Sequence, residues 1–268
     1  MNIPGLPNFR DLGGHRTSHG TVIAPGAMFR SVDLSRLEPA GGEALGALGI
    51  RRIIDLRTTV EVEKRPDRLP ERMSSRHLDV LADAGAAAGA QVGRIMEDPR
   101  RLTEVLGGGA ARDRMAATYR DIVSMPSALR SYRELFLGFA GDAGAGGVLF
   151  HCTTGKDRTG WAAASLMLLL GVDEDAVTED YLRTNADLLP AMQPVLDRFA
   201  GQGGDPDVLL PVLGVQEEYL RTALDEVEVR FGGIRGYATD GLGLTEQDID
   251  RLAAAVTVDA GSGGGGLR

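Results

Sequence analysis

Residues 151–160 read His-Cys-Thr-Thr-Gly-Lys-Asp-Arg-Thr-Gly, set between the apolar run Val148-Leu149-Phe150 and a second apolar run from Trp161 to Leu170. That pattern predicts a buried strand, a tight loop and a buried helix in succession. Such a turn aims the loop's backbone N–H groups and the positive end of the helix dipole at one point, which suits an anion. Cys152, the only cysteine in the chain, stands at the rim of that cradle. The dipole, Arg158 and Lys156 all favour its thiolate, the nucleophilic form.

The spacing of His-Cys, five residues, Arg and then Thr-Gly resembles the phosphate-binding loop of the protein tyrosine phosphatase superfamily. Within that superfamily, Gly155-Lys156-Asp157-Arg158 followed by Thr-Gly is similar to the atypical bacterial tyrosine and lipid phosphatases, the mycobacterial phosphatase B-like group. The likeness continues in the same order through Asn8–Gly14, Pro25–Leu37, Ile53–Asp67 and the late segments LGVQEEYL and FGGIRGYATDGLGLTEQDIDRL, about residues 2–258 in all. It implies a tyrosine phosphatase-like fold with a helical lid, and a substrate that is a phosphorylated protein or a phosphoinositide.

Phosphoryl transfer needs an in-line nucleophile, neutralised non-bridging oxygens and a proton for the leaving oxygen. Cys152 is expected to attack phosphorus and carry the phosphoryl group, which water then releases. Backbone N–H groups of Thr153, Thr154, Gly155, Lys156, Asp157 and Arg158 would hold the three oxygens. The planar fork of Arg158 binds two of them, as a lysine could not. No metal or other cofactor is expected. By the resemblance, Thr159 hydrogen-bonds the sulfur and helps it leave; taken alone, it could equally cap the helix. His151 is expected to orient the loop through a ring N–H, a role close to that of a core histidine with a satisfied hydrogen bond. Lys156 would add charge for a second phosphate or an acidic lipid headgroup.

Two aspartates compete for the general acid. By the resemblance, Asp157 matches the Lys-Asp signature inside the loop and Asp83 a candidate outside it. Arg158 and Lys156 favour a charged Asp157, which argues against donation unless the substrate dianion offsets them. Asp83 could equally be a solvated loop carboxylate. Motif specificity puts Asp157 ahead.

Other chemistries fit less well. A nucleotide-binding P-loop needs Ser or Thr after the lysine and a glycine five positions before Gly155, where this chain has Asp157 and Phe150. An inert core cysteine would not be followed so closely by Gly, Lys, Asp, Arg and Thr. A binding protein without turnover would not need Cys152, Asp157, Arg158 and Thr159 together. A sulfurtransferase would not require Arg158 with Thr-Gly after it, and an arsenate reductase usually employs a second cysteine.

The 268 residues, 43% of them hydrophobic, suffice for one full core, so a single domain is expected over 1–258. A net charge of −9 with a pI near 5.0 and no basic stripe argues against nucleic acid as a partner. An anionic substrate must then be attracted locally, by Lys156 and Arg158 with help from Arg10 and Arg57. No apolar run reaches the roughly 18 residues of a membrane span, so no stable membrane insertion is expected. The N-terminus lacks the basic stretch and apolar core of a secretion signal, so a cytoplasmic location is expected, with export by another route left open. A single cysteine excludes an intrachain disulfide.

The rest of the pattern predicts strands over Asn8–Leu12, Thr21–Arg30, Arg52–Leu56 and Ser75–Leu78. Helices are predicted over Pro39–Leu48, Arg112–Val123, Leu129–Ala140, Asp175–Thr184, Glu217–Arg230 and Thr245–Val256, the last with Thr245 as N-cap. Asp55 and Arg57 read as a charged rim at a strand end. Ala82–Ala90 reads as a mobile loop, Gly141–Gly147 as a turn and 259–268 as a disordered Gly-rich tail. Leu188–Phe199 and Val208–Val212 form two apolar segments about the turn Gly201–Asp207; they are the lid by resemblance, or ordinary core by packing. Strands alternating with helices indicate an α/β sandwich with a central, mostly parallel sheet flanked by helices. The strand before Cys152 should be central, with the site beyond its carboxyl end.

Overall fold

A computed structural model describes residues 3–84, 99–140 and 146–260. The strands are β1 (Arg10–Asp11), β2 (Thr21–Ile23), β3 (Met28–Ser31), β4 (Ile50–Asp55), β5 (Ser74–His77), β6 (Gly147–His151) and β7 (Thr257–Asp259). Five of them make the central sheet in the order β1-β3-β6-β4-β5. β1 is antiparallel to β3 and the other pairings are parallel. β6, the strand that delivers Cys152, is the middle one, as the sequence predicts.

The two-residue period of the strands sorts their side chains into two cores. Val148, Phe150 and Cys152 face one, with Ile54, Leu56 and Met28; Leu149 faces the other, with Ile53 and Phe29. Burial on both faces is what a parallel sheet requires. The described α-helices of four residues or more are α1 (Pro39–Ala47), α2 (Thr59–Lys64), α3 (Pro99–Leu106), α4 (Ala110–Ser124), α5 (Pro126–Ala140), α6 (Asp157–Leu169), α7 (Glu174–Gly201), α8 (Leu210–Leu213), α9 (Glu217–Phe231) and α10 (Glu246–Val256). Thr245 caps α10 in a capping box with Asp248, as expected from the sequence. α6 is buried around most of its circumference, Trp161, Ala162, Ala163, Leu166 and Met167 included. It therefore reads as one apolar run rather than an amphipathic one.

Several boundaries differ from the sequence reading. The expected strand Thr21–Arg30 is broken by Ala24-Pro25-Gly26, where Gly26 takes φ +83° and gives its N–H to Asp11 at 2.7 Å. β2 then leaves the main sheet and pairs with β7, with Val22 opposite Val258. Asp259, expected in the tail, belongs to that strand. The two segments Asp175–Thr184 and Leu188–Phe199 are one helix, α7, running through Pro190 and Pro194. Each proline removes a backbone donor, yet burial of Leu188, Leu196 and Phe199 along one face keeps the helix continuous. Ala82–Ala84 is a short 3-10 turn; the rest of Ala82–Ala90, most of Gly141–Gly147 and Gly261–Gly266 lie outside the described residues.

A buried ionic set ties α7 to the sheet. Arg10 Nε donates to Asp180 Oδ1 at 2.7 Å and Arg30 to Asp180 Oδ2 at 3.1 Å, and all three side chains are buried. Burial, then repulsion from Arg10, pulls Arg30 down to about 10, so it stays charged at neutral pH. Burial would raise the Asp180 carboxyl, but Arg30 and Arg10 hold it below its ordinary range. Removing one partner of a buried pair typically costs about 3–5 kcal/mol. Asp180→Asn is therefore expected to lower the urea midpoint markedly at pH 7. Because the carboxyl is depressed in the folded state, the gap between wild type and variant should hold above about pH 5 and close as pH falls below about 4. Urea titrations at both pH values check this.

Candidate active site

β6 ends at His151 and α6 begins at Asp157, with the loop 152–156 between them. Gly155 makes the turn with φ +62°; a side chain there would run into the Ser31 carbonyl. Three of the loop's carbonyls, those of Thr153, Thr154 and Gly155, accept from donors outside the loop. The Asn8 amide donates to Gly155 O at 2.9 Å and Thr154 O at 3.3 Å, and Arg30 donates to Gly155 O at 2.8 Å. The N–H of Asp33 takes Thr153 O at 3.2 Å. Asn8 itself sits at φ 59°, a conformation asparagine tolerates better than most residues, and also accepts from Arg10.

Arg158 is nearly buried and its fork meets Glu61, with Nη1 donating to Oε2 at 2.7 Å and Nη2 to Oε1 at 2.9 Å. Thr153 Oγ1 also donates to Glu61. Glu61 is placed by its own helix: Thr58 caps α2 in a capping box whose third residue is Glu61. Burial would raise the Glu61 carboxyl, but the hydrogen bond and charge of Arg158, then Thr153, hold it far below the ordinary range. Burial alone would lower Arg158, while Glu61 and the Cys152 sulfur raise it further still. The sequence reading missed Glu61. Its signal was the Thr58-x-x-Glu61 capping box; the tie to Arg158, 97 positions on, is invisible locally.

Beneath the loop, Arg57 embraces Asp55 at 2.6–3.0 Å and reaches Asp67 at 2.9 Å. His151 Nε2 stands 3.0 Å from Asp67 Oδ2, off the line of a good hydrogen bond, and Nδ1 is 3.1 Å from the Cys152 carbonyl. Burial would raise Asp67, yet His151 and Arg57 hold it below its ordinary value. Asp55, Asp67 and His151 bring three ligand atoms within 4.8 Å of one another. Arg57 already occupies both Asp55 oxygens and one of Asp67, so the cluster reads as an ion-pair network. Arg57 and Arg10, expected to draw in an anionic substrate, are instead buried and paired.

Asp157 opens α6, with Oδ1 accepting from Tyr119 at 2.9 Å and Oδ2 at 3.5 Å from Lys156 Nζ. Lys156 is buried and donates to the Val212 carbonyl rather than standing free at the surface. Thr159 Oγ1 is buried and, among the described residues, carries no hydrogen bond. Asp83 accepts from the Ser127 N–H at 2.7 Å and pairs with Arg130 at 3.3 Å, at the start of α5.

A cysteine at a strand end, a loop whose carbonyls are tied from behind and an arginine braced by Glu61 match a loop built around one phosphate. Comparison with known proteins agrees. A family model described as the tyrosine phosphatase family matches residues 1–258. The triple specificity protein phosphatase PtpB of Mycobacterium tuberculosis is 33% identical, covering 93% of this chain and 96% of that protein. A Cupriavidus necator protein with a provisional tyrosine-protein phosphatase name is 31% identical over 92% of this chain and 84% of its own length. A tyrosine-protein phosphatase of Nostoc commune is 29% identical over 87% and 74%. With the loop, the sheet that carries it and a match spanning nearly the whole chain in agreement, this chain belongs to the tyrosine phosphatase family.

Proposed function

We propose that the chain hydrolyses phosphate monoesters in two steps through a phosphocysteine at Cys152, with Asp157 as general acid and then base. The observation that carries this reading is the loop 152–158 with its carbonyls tied back by Asn8, Arg30 and the Asp33 N–H, which turns the N–H groups inward. A phosphate seated there meets those N–H groups and the edge of Arg158 not taken by Glu61, while sulfur faces phosphorus. The orphaned Thr159 hydroxyl is available to the sulfur as it departs in the second step. Asp157 is preferred to Asp83 as the acid because it is rooted in the loop itself, whereas Asp83 serves the start of α5.

Phosphotyrosine is the first substrate class, and the triple-specificity name of the M. tuberculosis relative favours a site that also accepts phosphoserine or phosphoinositides. α3, the end of α7 and α8 act as the helical lid. They pack on one another through Leu102, Leu106, Leu196, Phe199 and Leu209, a cluster separate from the two sheet cores, and Lys156 holds α8 by the Val212 carbonyl. Among the described residues no helix is long and apolar enough to cross a membrane.

Cys152→Ser is expected to abolish turnover of 4-nitrophenyl phosphate while the folded variant still binds inorganic phosphate. Rapid quenching of the wild type should trap a phosphorylated Cys152 by mass spectrometry; its absence throughout turnover would refute the covalent route. Asp157→Asn is expected to lower kcat/KM on phenyl phosphate by about 10²–10⁴-fold, the usual contribution of a general acid. Asp83→Asn keeps an oxygen for the Ser127 N–H and loses only an exposed pairing with Arg130, so it should change stability by less than about 1 kcal/mol and leave kcat/KM within about threefold. The reverse pattern in the two variants would reassign the acid.

A further inference from the structure

Asp157 is held by more than its own loop. The Tyr119 hydroxyl, on α4, donates to Asp157 Oδ1 at 2.9 Å, and the Tyr181 hydroxyl, on α7, stands 2.6 Å from that of Tyr119. A phenol carries one proton. With the proton of Tyr119 on Asp157, that of Tyr181 must point to Tyr119, so the hydrogen bonds run from Tyr181 through Tyr119 to the carboxylate. Burial, with the charge of Asp157 next, pushes both hydroxyls well above the phenol range, so each remains a donor. The rings are fixed as well as the oxygens. Tyr119 meets Tyr181 edge-on at 6.3 Å and Tyr219 at 5.6 Å.

We propose that Tyr119 is a positioning residue for proton transfer: by donating to Oδ1 of Asp157 it reserves Oδ2 as the oxygen that gives and takes the catalytic proton. An oxygen accepting from Tyr119 can do so as the carbonyl of a neutral carboxyl or as half of a carboxylate, so the proton of the neutral form sits on Oδ2. In the first step the sulfur–phosphorus bond forms, the ester P–O bond breaks and the Oδ2 proton passes to the departing oxygen. The new carboxylate lies beside Lys156, 3.5 Å from Oδ2. In the second step water adds to phosphorus, the S–P bond electrons return to sulfur, and the water proton returns to Oδ2. Tyr119 keeps its own proton throughout, and Tyr181 holds Tyr119 in that orientation. This rests on the reading of Asp157 as the general acid.

The test compares kcat/KM, which reports the leaving-group step, on phenyl phosphate and 4-nitrophenyl phosphate. Phenoxide needs a proton to leave; nitrophenoxide much less so. The ratio of 4-nitrophenyl to phenyl turnover is expected to rise about tenfold in Tyr119→Phe, part of the roughly 10²–10⁴ that an acid supplies. It should rise further in Asp157→Asn, with no added rise in the double variant. Tyr181→Phe should move the ratio the same way by a smaller factor, and it carries the test alone if Tyr119→Phe does not fold. An unchanged ratio in the tyrosine variants, or an equal loss on both substrates, overturns the positioning role while a raised ratio in Asp157→Asn still stands. An unchanged ratio in Asp157→Asn instead removes the reading of Asp157 as the acid.

Discussion

A peptide that aims its N–H at a bound phosphate must aim its carbonyl the other way, into the body of the protein, where an unpaired oxygen is costly. The back of the loop 152–156 is therefore as constrained as its front. Asn8, Arg30 and the Asp33 N–H supply the donors, and Asp180 in turn holds Arg30 and Arg10. The sheet order follows the same need: β3 must lie beside β6 for Arg30 to reach Gly155, and β1 beside β3 for Arg10 to share Asp180. Gly155 closes the arrangement, since its left-handed turn lies against the Ser31 backbone with no space for a side chain.

Charge is distributed in groups of opposed sign around that loop. Arg10 and Arg30 surround Asp180 behind it, Arg57 and His151 face Asp55 and Asp67 beneath it, and Glu61 braces Arg158 in front. Buried pairs of this kind contribute more to a unique geometry than to net stability, and here the geometry they fix is that of the phosphate cradle. In a chain of net charge −9, the loop N–H groups, the α6 terminus and Arg158 are the groups proposed to draw the anion. The other nearby arginines are already committed to carboxylates.

The loop, its strand, its helix and the central place of β6 were legible because they are encoded locally, in one apolar-polar-apolar run. So were α4, α5, α9 and α10, whose cores recur at helical spacing. What escaped was decided at long range. Nothing near Thr21–Ile23 announces that it pairs with Thr257–Asp259. Pro190 and Pro194 argue locally for a break that the burial of Leu196 and Phe199 overrides. The sequence reading passed over α2 although Thr58-x-x-Glu61 is a capping-box pattern; that Glu61 braces Arg158, and that Tyr119 meets Asp157, depends on how separate elements pack. Arg10 and Arg57 looked available for substrate because their partners, Asp180 and Asp67, reach them only in the folded chain.

The same packing links access to chemistry. α8 is fastened at two points: its Val212 carbonyl accepts from Lys156, and its Pro211 carbonyl accepts from the Tyr219 hydroxyl at 3.0 Å. Lys156 faces Oδ2 of Asp157, and the ring of Tyr219 lies against Tyr119, which holds Oδ1. One anchor of α8 thus touches that carboxylate directly and the other reaches it only through Tyr119. Among the described residues, the cluster that seats α8 is smaller than the sheet cores and separate from them, the pattern of a segment that opens at lower free energy than global unfolding. A displacement of α8 must free the Lys156 ammonium and loosen the backing of Tyr119 together, and so change both the charge beside that carboxylate and its support.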